Sequence, residues 1–369
     1  MNRSLKSFAC RIAYSPLGNK IANGLGITGM WARLQVRSKQ KRLWAEAKKQ
    51  FAEGTALGTL EDYRDALRKH WVSYAEYAYQ YAFYKKTESE RSAYVSRLRM
   101  AYFYWRYVPG TVKAVFREKK RFLKTFQDNV HRTWLYAPEA SYDAFMHLIS
   151  QHDVIVKPCD GKLGRGIFKS FKADVHPDER VLFADCVKNR MLVEQCIESC
   201  DELKAFHPQS LNSIRVVTVA NRENACVFSG VFRTGVGDKV VDNSHAGGVS
   251  AQINVETGIV ESDGADKNGN RYVAHPDSGL VFNGFQIPQW EKIVDTCCKA
   301  AKASGNPVTG WDVVLNQDGK VEFIEGNYGP DLDMMQTRYQ TGIKSRIYAL
   351  IKQYQGIDLY QMEKKLCVL

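Results

Sequence analysis

The sequence predicts an α+β protein in which two α/β lobes follow a helical N-terminal region. Three observations support this prediction. Residues 1–117 are basic and rich in aromatic side chains. Residues 154–167 read as a buried strand that ends in a lysine and a glycine-rich loop. Residues 309–327 read as a hairpin of two short apolar strands with acidic and amide side chains at its open end. Strands and helical segments therefore share one chain from about residue 118 onward.

The N-terminal region carries the positive charge of the protein. Residues 1–124 contain 26 Lys and Arg against 9 Asp and Glu, a net charge of +17, whereas the remaining residues sum to −5. Gly and Pro are rare between residues 61 and 108, and aromatic residues recur at helical spacing from Trp71 to Tyr84. A second aromatic cluster covers residues 102–107. We therefore predict two or more amphipathic helices that end before Pro109-Gly110.

Three roles are open for this basic region. Its aromatic side chains can pack the helices on each other and on the rest of the protein, while Lys and Arg stay solvated. Basic and aromatic side chains together also suit the headgroup boundary of an anionic membrane, so peripheral membrane contact is the second role. Nucleic acid is the least favoured partner, because nothing in the sequence resembles a recognised reading module.

The segment 154–167 has the composition of a phosphate-binding loop. Lys157 lies at the end of an apolar strand, and three glycines follow, the last of which is Gly166. Glycines let backbone N–H groups face phosphate oxygens, and a lysine supplies a point charge to the same oxygens. No helix-opening Gly-Lys-Ser or Gly-Lys-Thr follows, and residues 167–171 read as another strand, so the known nucleotide fingerprints do not fit. An ordinary glycine hairpin with a surface lysine is the alternative for this segment alone.

The hairpin at 309–327 contains a candidate metal site. An Asn-Gln-Asp-Gly turn joins its two strands. Because side chains alternate faces along a strand, Asp312 on the first strand can share a side with Glu325 and Asn327 at the end of the second. Magnesium takes hard oxygen ligands, typically one or two carboxylates, with water and phosphate in its other positions. By itself, the pattern also fits a solvated acidic turn.

In this order along the chain, the segments resemble the ATP-grasp superfamily. The matching segments are the strand that ends in Lys157-Pro158, the glycine lid to Gly166, the strand 191–197, and Asp312 with Glu325-Gly-Asn327. The stretches 210–219, 230–233 and 241–248 are similar to the sugar-transfer-associated ATP-grasp group, and more distantly to the glutamate ligases. The resemblance covers roughly residues 118–340 and is absent from the first hundred or so.

The resemblance implies roles for individual positions. Arg215 and Arg233 would face the γ-phosphate and the acyl phosphate, and Asp312, Glu325 and Asn327 would bind Mg²⁺. The positions implied to contact ATP are Lys119, Lys157, Gly164, Arg165, Gly166, Glu194, Gln195, Ile197 and Glu202. Substrate contacts are expected from Asn212, Asn243, His245, Gly247 and Gly248.

Some of these assignments leave alternatives. Lys120 could take the place of Lys119 as the second ATP lysine, with Lys119 preferred. Residues 194–197 would read the adenine edge, and Asp201 could hold the ribose in place of Glu202. The eight histidines are scattered along the sequence rather than paired, and His245 is the one in the predicted site segment.

The resemblance implies an ATP- and Mg²⁺-dependent ligase that joins a carboxylate to an amine through an acyl phosphate. Its substrates would be small molecules, such as an amino acid and an amino sugar or a similar sugar-linked acceptor, in cell-surface polysaccharide or envelope modification. No constellation for covalent catalysis is evident in the sequence, which agrees with direct attack of a carboxylate on ATP. Two alternatives are a kinase that phosphorylates its substrate directly and a non-catalytic ATP-binding or membrane-adaptor protein.

We place the domain limits at residues 1–117 for the helical region, 118–197 for the small lobe with lid and hinge, and 198–369 for the large lobe. Strands are predicted at about 213–220, 225–233, 248–254, 308–315 and 320–325, and flanking helices at about 288–304 and 335–352. Nine cysteines without a Cys-x-x-Cys pair favour a reducing compartment. No signal peptide or membrane span is evident, so we expect a cytoplasmic protein, with attachment at the inner face of the membrane left open.

Overall fold

The computed structural model of this 369-residue chain describes residues 27–160, 166, 168–170, 178–238, 247–267, 269–332, 335–337 and 340–364. The predicted α+β class is confirmed, because a helical N-terminal part precedes two antiparallel sheets with flanking helices. Within the described ranges, no helix is both long enough and apolar enough to cross a membrane.

Between residues 27 and 125, the structure describes six α-helices. They are α1 (Ile27–Ala52), α2 (Leu60–His70), α3 (Glu88–Ser92), α4 (Arg97–Tyr107), α5 (Gly110–Arg117) and α6 (Lys119–Thr125). Side-chain caps fix where three of them begin, and Thr87 caps α3. The Thr59 hydroxyl accepts a hydrogen bond from the Asp62 N–H at the start of α2, and Ser96 caps α4 in the same way.

The predicted presence of two or more helices before Pro109-Gly110 is confirmed by α2 and α4, but the aromatic residues from Trp71 to Tyr84 do not form a continuous helix. Trp71 has a left-handed backbone (φ 61°) and ends α2, and a short π-helical segment covers Glu76–Gln80. The break allows the chain to fold back on itself. Tyr74 and Tyr77 pack edge-on against Tyr63 of α2, with ring centroids 5.6 and 5.3 Å apart. Tertiary packing of the rings thus overrides the local helical spacing.

A small four-stranded sheet follows. Its strands are β1 (Trp134–Tyr136), β2 (Val154–Pro158), β3 (Phe168–Ser170) and β4 (Met191–Gln195), in the spatial order β1-β4-β2-β3. All described pairs are antiparallel. Helices α7 (Tyr142–Gln151) and α8 (Glu179–Lys188) cover one face, where Phe145 and Leu148 pack with Val154 and Val193. The small sheet therefore has its own apolar core.

The large sheet has seven antiparallel strands in the order β11-β10-β5-β6-β7-β8-β9. These are β5 (Ile214–Ala220), β6 (Ala225–Thr234), β7 (Val249–Ile253), β8 (Gly264–Ala265), β9 (Arg271–Tyr272), β10 (Val308–Leu315) and β11 (Val321–Asn327). The helices of this part are α9 (Asp201–Lys204), α10 (Trp290–Ser304), α11 (Lys344–Gln355) and α12 (Leu359–Lys364). The helix predicted at about 335–352 is interrupted, because residues 335–337 are helical, residues 340–343 are not, and α11 begins at Lys344.

The two faces of the large sheet pack against different partners. On one face, Ile214 and Trp311 share a buried cluster with Trp290 and Ile293 of α10. On the other face, Val217 packs with residues of α4 and α11. Arg215 lies two residues from Val217 on β5 and so shares this second face. The N-terminal helices thus cover part of the face that carries the predicted site residues.

Hydrogen bonds and ion pairs fasten the N-terminal helices to the large lobe. The Tyr104 hydroxyl of α4 donates to the Pro330 carbonyl at 3.1 Å. Glu363 of α12 is buried and pairs with Arg99 of α4 at 3.1 Å and with Lys344 of α11 at 2.8 Å. The basic N-terminal region is therefore packed into the protein along α4, and its aromatic clusters belong to the core.

A buried arginine joins the two sheets. Arg132 precedes β1, and its Nε donates to Glu194 of β4 at 2.6 Å. Its Nη1 donates to Glu322 of β11 and to the Phe323 carbonyl, the latter at 2.8 Å. The side chains of Arg132, Glu194 and Glu322 are at most 4% exposed. Buried charges are tolerated only when they are paired and hydrogen-bonded, so these three groups depend on one another.

Arg132→Met should lower the free energy of unfolding by about 3–5 kcal/mol, because it leaves two buried carboxylates without their shared cation. Urea titration followed by circular dichroism measures this loss. The matched control is Lys299→Gln, which breaks an exposed pair with Asp295 and should cost less than about 1 kcal/mol. Equal losses in the two variants would contradict the assigned importance of the network.

Candidate active site

Strand register brings five polar residues to one face of the large sheet. Asp312 of β10 lies opposite Glu325 of β11 on one side and opposite Arg215 of β5 on the other. Directly paired residues project to the same face. Arg233 lies two residues beyond Val231, the partner of Arg215, and Asn327 lies two residues beyond Glu325. The period of two along a strand therefore places these groups on the same side.

Asp312 is held by two guanidinium groups. Arg215 contacts both carboxylate oxygens, with Nη2 2.7 Å from Oδ2, and Arg233 Nη1 lies 2.9 Å from Oδ1. Burial by itself would raise the pKa of Asp312, but Arg215 and Arg233 hold that pKa below its ordinary value of 3.8. The carboxylate is therefore ionised at neutral pH, and the site is charged before any ligand arrives.

Glu325 and Asn327 add oxygen atoms beside Asp312. The side chain of Glu325 is exposed, and its charge acts on both Arg215 and Lys119. Asn327 Oδ1 accepts a hydrogen bond from the Gly329 N–H at 3.2 Å. In the part of the chain that the structure describes, no group of three His, Cys, Asp or Glu side chains is placed to hold a metal. Two carboxylates and an amide nevertheless fit Mg²⁺, which completes its shell with water and phosphate.

The lysines of the predicted phosphate site come from β2 of the small sheet and from the start of α6. Lys157 at the end of β2 is buried and lies 2.8 Å from Glu194 Oε1. Lys119 Nζ donates to the Pro158 carbonyl at 3.3 Å. Burial lowers the pKa of Lys119, with Glu325 opposing that shift and Lys157 adding to it. Lys119 therefore lies near the ammonium group of Lys157 and the carboxylate of Glu325.

Lys120 points to a different place. It pairs with Glu139, and its Nζ lies 4.7 Å from the centre of the Tyr136 ring. Of the two lysines that the sequence leaves open, Lys119 is the one beside Lys157 and Glu325. Its contact with ATP stays a prediction.

The predicted adenine-binding residues lie at and after β4. The side chain of Glu194 is occupied by Lys157 and by Arg132, and these cations outweigh the effect of burial and lower the pKa of Glu194. The backbone N–H of Gln195 donates to the Thr133 carbonyl at 2.8 Å. Ile197 is half-buried. An adenine base bound here would therefore have to hydrogen-bond to backbone N–H or C=O groups that do not take part in these contacts.

The other residues predicted to contact a ligand differ in exposure and backbone conformation. Glu202 is exposed in α9. Gly166 has φ 72°, and a Cβ atom there would lie 3.1 Å from Pro158 Cγ, so both conformation and space favour glycine. Gly247 has φ 95° and Gly248 is buried just before β7. The predicted residues Gly164, Arg165, Asn243 and His245 lie outside the described residues.

Asn212 is placed differently from the substrate contact that the sequence suggested. Its side chain is fully buried, and its backbone is left-handed (φ 51°). The amide nitrogen donates to the carbonyls of His207 and Ser210, and the amide oxygen accepts from the Ser210 and Thr234 hydroxyls. All hydrogen-bonding groups of the amide are used, so this asparagine offers none to a substrate and instead shapes the loop before β5.

Two histidines that were read as scattered are paired in the structure. His207 and His275 are both buried, with ring centroids 5.9 Å apart. His275 Nε2 donates to the Gly235 carbonyl at 2.8 Å, and His207 Nε2 donates to the Gly237 carbonyl at 2.7 Å. Both carbonyls lie just beyond Arg233. The pair thus anchors the segment that leaves β6, and no short motif could have indicated a contact between residues so distant in sequence.

Lys119 of α6 thus lies near both Lys157 of the small sheet and Glu325 of the large sheet. The family model for sugar-transfer associated ATP-grasp proteins matches residues 127–352, more than half of the chain. The protein therefore belongs to the sugar-transfer associated ATP-grasp family. This confirms the resemblance and the ATP-grasp fold predicted from the motifs. No protein with a curated description matches the sequence.

Solved structures of ATP-grasp enzymes are distantly similar. The ATP-grasp ligase PsnB, complexed with minimal precursor, is 16% identical with a TM-score of 0.40, and the match covers 66% of this chain and 62% of PsnB. An L-amino acid ligase from Bacillus licheniformis is 14% identical, with 70% and 50% coverage and a TM-score of 0.39. D-alanine–D-alanine ligase from Bacillus anthracis is 14% identical, with 70% and 71% coverage and a TM-score of 0.40. The match thus spans less than two thirds of PsnB.

The pairing of His275 predicts a pH dependence of stability. Burial lowers the pKa of His275 below 6.5, and its Nδ1 accepts the Asp277 N–H, which a protonated ring could not do. Unfolded chains therefore bind this proton at a higher pH than the folded protein does, and the free energy of unfolding should fall as pH drops below about 6.5. One such group contributes a slope of at most about 1.4 kcal/mol per pH unit.

Urea midpoints at pH 7.5 and 5.5 check this dependence. His275→Gln should show a smaller decrease between the two pH values than the unsubstituted protein. His147→Gln, at an exposed position on α7, should keep the full decrease. An unchanged decrease in His275→Gln would rule out this histidine as its source.

Proposed function

We propose that this protein is an ATP- and Mg²⁺-dependent ligase that joins a carboxylate to an amine. The observation that carries the proposal is the single sheet face on which Asp312 and Glu325 lie beside Arg215 and Arg233. Membership of an ATP-grasp family supports ATP as the nucleotide. The arrangement of charges supports chemistry at its terminal phosphate, because oxygen ligands for a cation and guanidinium groups for an anion occur side by side.

The nucleotide would lie between the two lobes, with its phosphates near Lys157 and Lys119. The Lys157–Glu194 pair of 2.8 Å fixes the lysine at the end of β2 before the nucleotide binds. A lysine that is already oriented loses less side-chain entropy when it meets a phosphate oxygen. Gly166 lies beside Pro158 at the base of the glycine-rich segment, where backbone N–H groups can approach the phosphates.

Asp312, Glu325 and Asn327 would hold Mg²⁺. When bound there, Mg²⁺ supplies positive charge between the phosphate groups. Arg215 and Arg233 already contact Asp312, so their guanidinium groups lie at the edge of the same site. They are suited to neutralise the negative charge that develops when a carboxylate oxygen approaches the γ-phosphate.

The proposed reaction has two steps. A substrate carboxylate oxygen attacks the γ-phosphorus of ATP, the bond to the β-phosphate oxygen breaks, and ADP leaves with an acyl phosphate formed. The amine of the second substrate then attacks the acyl carbon, inorganic phosphate leaves, and one proton is released as the amide forms. No side-chain nucleophile is required by this route. The family description, sugar-transfer associated, supports an amino acid and an amino sugar or similar acceptor in cell-surface polysaccharide or envelope modification.

The different surroundings of two neighbouring lysines allow a matched test of nucleotide binding. Lys119→Met should weaken the affinity for a non-hydrolysable ATP analogue with Mg²⁺ by about tenfold to a hundredfold, because a charge-assisted bond to phosphate is lost. Lys120→Met removes a pair with Glu139 and should change the affinity by less than about twofold. Calorimetric titration gives both values. The reverse order would assign the phosphate contact to Lys120.

Product analysis tests the reaction type. With pools of amino acids and amino sugars, a ligase yields ADP, phosphate and amide in equal amounts, and hydroxylamine in place of the amine traps the acyl phosphate as a hydroxamate. Glu325→Gln should reduce product formation at least about a hundredfold with an unchanged urea midpoint, because a metal ligand charge is lost. Glu256→Gln, exposed beyond β7, is the control and should keep full activity.

Other product patterns would reject the proposal in distinguishable ways. ADP together with a phosphorylated product and no hydroxamate would identify a kinase. Absence of ADP release from every substrate pool, with ATP still bound, would favour a non-catalytic nucleotide-binding protein. Full activity in Glu325→Gln would refute the proposed metal site while leaving the ligase reaction in place.

A further inference from the structure

We propose that α1 is a docking surface for an anionic membrane. This helix covers Ile27–Ala52 and is about 39 Å long at 1.5 Å per residue. It is attached to the protein along one side only. Its buried side chains, spaced four, four, three and four residues apart, are Ala32, Val36, Gln40, Leu43 and Ala47, all at most 9% exposed. This spacing defines a single stripe of the helix, so the opposite side faces outward.

The outward side begins with large apolar side chains. Met30 and Leu34, one helical turn apart, are 60% and 55% exposed, and Trp31 next to them is 44% exposed. The Trp31 ring is held edge-on against Trp105 of α4, with centroids 6.3 Å apart. These side chains expose apolar surface to water in one small area. Tryptophan and leucine on the outer side of a basic helix are suited to the boundary between lipid headgroups and acyl chains.

Cations continue along the same side. Arg37, Lys41 and Lys48 follow Met30 and Leu34 at helical spacing and are exposed. The helix contains seven Lys and Arg against a single acidic residue, Glu46, which lies 3.3 Å from Arg42. Residues 1–26 add four Lys and Arg and no Asp or Glu. The charge of this part of the chain is therefore complementary to an anionic surface.

The α1 residues that we propose for membrane contact differ from the aromatic residues that suggested such contact in the sequence. The aromatic stripe that suggested headgroup contact is buried, since Trp71, Tyr74, Tyr77 and Tyr81 are at most 6% exposed. These rings belong to the core between α1, α2 and α4 and are not available to lipid. Exposed apolar side chains and exposed cations occur together on α1 instead.

The apolar end of α1 favours a membrane over a polynucleotide. A phosphate backbone is bound by cations, and its affinity depends on the number of phosphates neutralised. Met30 and Leu34 would contribute nothing to such contacts, whereas insertion into the headgroup region removes their apolar surface from water. A membrane partner therefore accounts for the apolar and the basic residues together.

Sedimentation of the full-length protein with lipid vesicles tests this proposal. The protein should bind vesicles of phosphatidylglycerol and phosphatidylcholine, bind pure phosphatidylcholine weakly, and dissociate as salt rises, because exposed charges are screened within about 10 Å at 0.1 M salt. Replacing Arg37, Lys41 and Lys48 together by Gln should weaken binding about a hundredfold, at about fivefold for each charge near the surface. Met30→Ser with Leu34→Ser should weaken binding and remove its salt-resistant part.

A control variant separates the α1 surface from net charge. Replacing Lys188, Lys299 and Lys320 by Gln removes the same charge from exposed positions outside the N-terminal helices and should leave vesicle binding within about twofold. Circular dichroism melting confirms that each variant is folded. The assay contains neither ATP nor substrate, so its outcome is independent of the proposed ligase reaction.

Three results would overturn the proposal. The first is absence of binding to anionic vesicles at low salt. The second is an equal loss in the control variant, which would mean that overall charge and not α1 determines binding. The third is unchanged vesicle affinity in the Met30 and Leu34 variant together with tighter binding to a polynucleotide, which would identify α1 as a general polyanion surface.

Discussion

The buried guanidinium of Arg132 is the group on which the two-lobed arrangement depends. It contacts Glu194 of the small sheet and Glu322 of the large sheet. One buried cation therefore links the two sheets directly. Glu194 in turn holds Lys157. Each of these charges would be costly in isolation, because burial removes its hydration. The network therefore links the folding of each lobe to the position of a lysine that we assign to the phosphates.

A second balance of charges lies at the candidate metal site. Asp312 is half-buried and ionised because Arg215 and Arg233 contact it, and Glu325 beside it is open to solvent. The guanidinium groups thus have a fixed position without a ligand. In the proposed reaction, this would lower the reorganisation needed when charge develops on a phosphate. His207 and His275 stabilise the segment that follows Arg233, because each donates a hydrogen bond to a backbone carbonyl of that segment.

The N-terminal helices are part of this construction. Phe116 of α5 and Phe122 of α6 lie against Trp311, with ring centroids 5.8 and 6.5 Å away, and a Cβ atom at Gly326 would lie within 3 Å of both phenylalanine rings. Glycine between Glu325 and Asn327 is thus required by close packing, and the helices support the strand that carries the candidate metal ligands. The outward side of helix α1 takes no part in this packing and is the surface that we propose for membrane contact.

Local patterns in the sequence determined much of this protein. Alternation of apolar and polar residues, together with turn and glycine signals, predicted the main strands of the large sheet, the hairpin that carries Asp312 and Glu325, and the strand that ends in Lys157. These features depend on neighbours a few residues apart, which is why sequence alone contains them. Tertiary structure decided the rest. The break at Trp71, the burial of Asn212, the pairing of His207 with His275 and the position of Lys119 beside Lys157 all depend on contacts between segments far apart in the chain. Burial and charge pairing there outweigh local propensity.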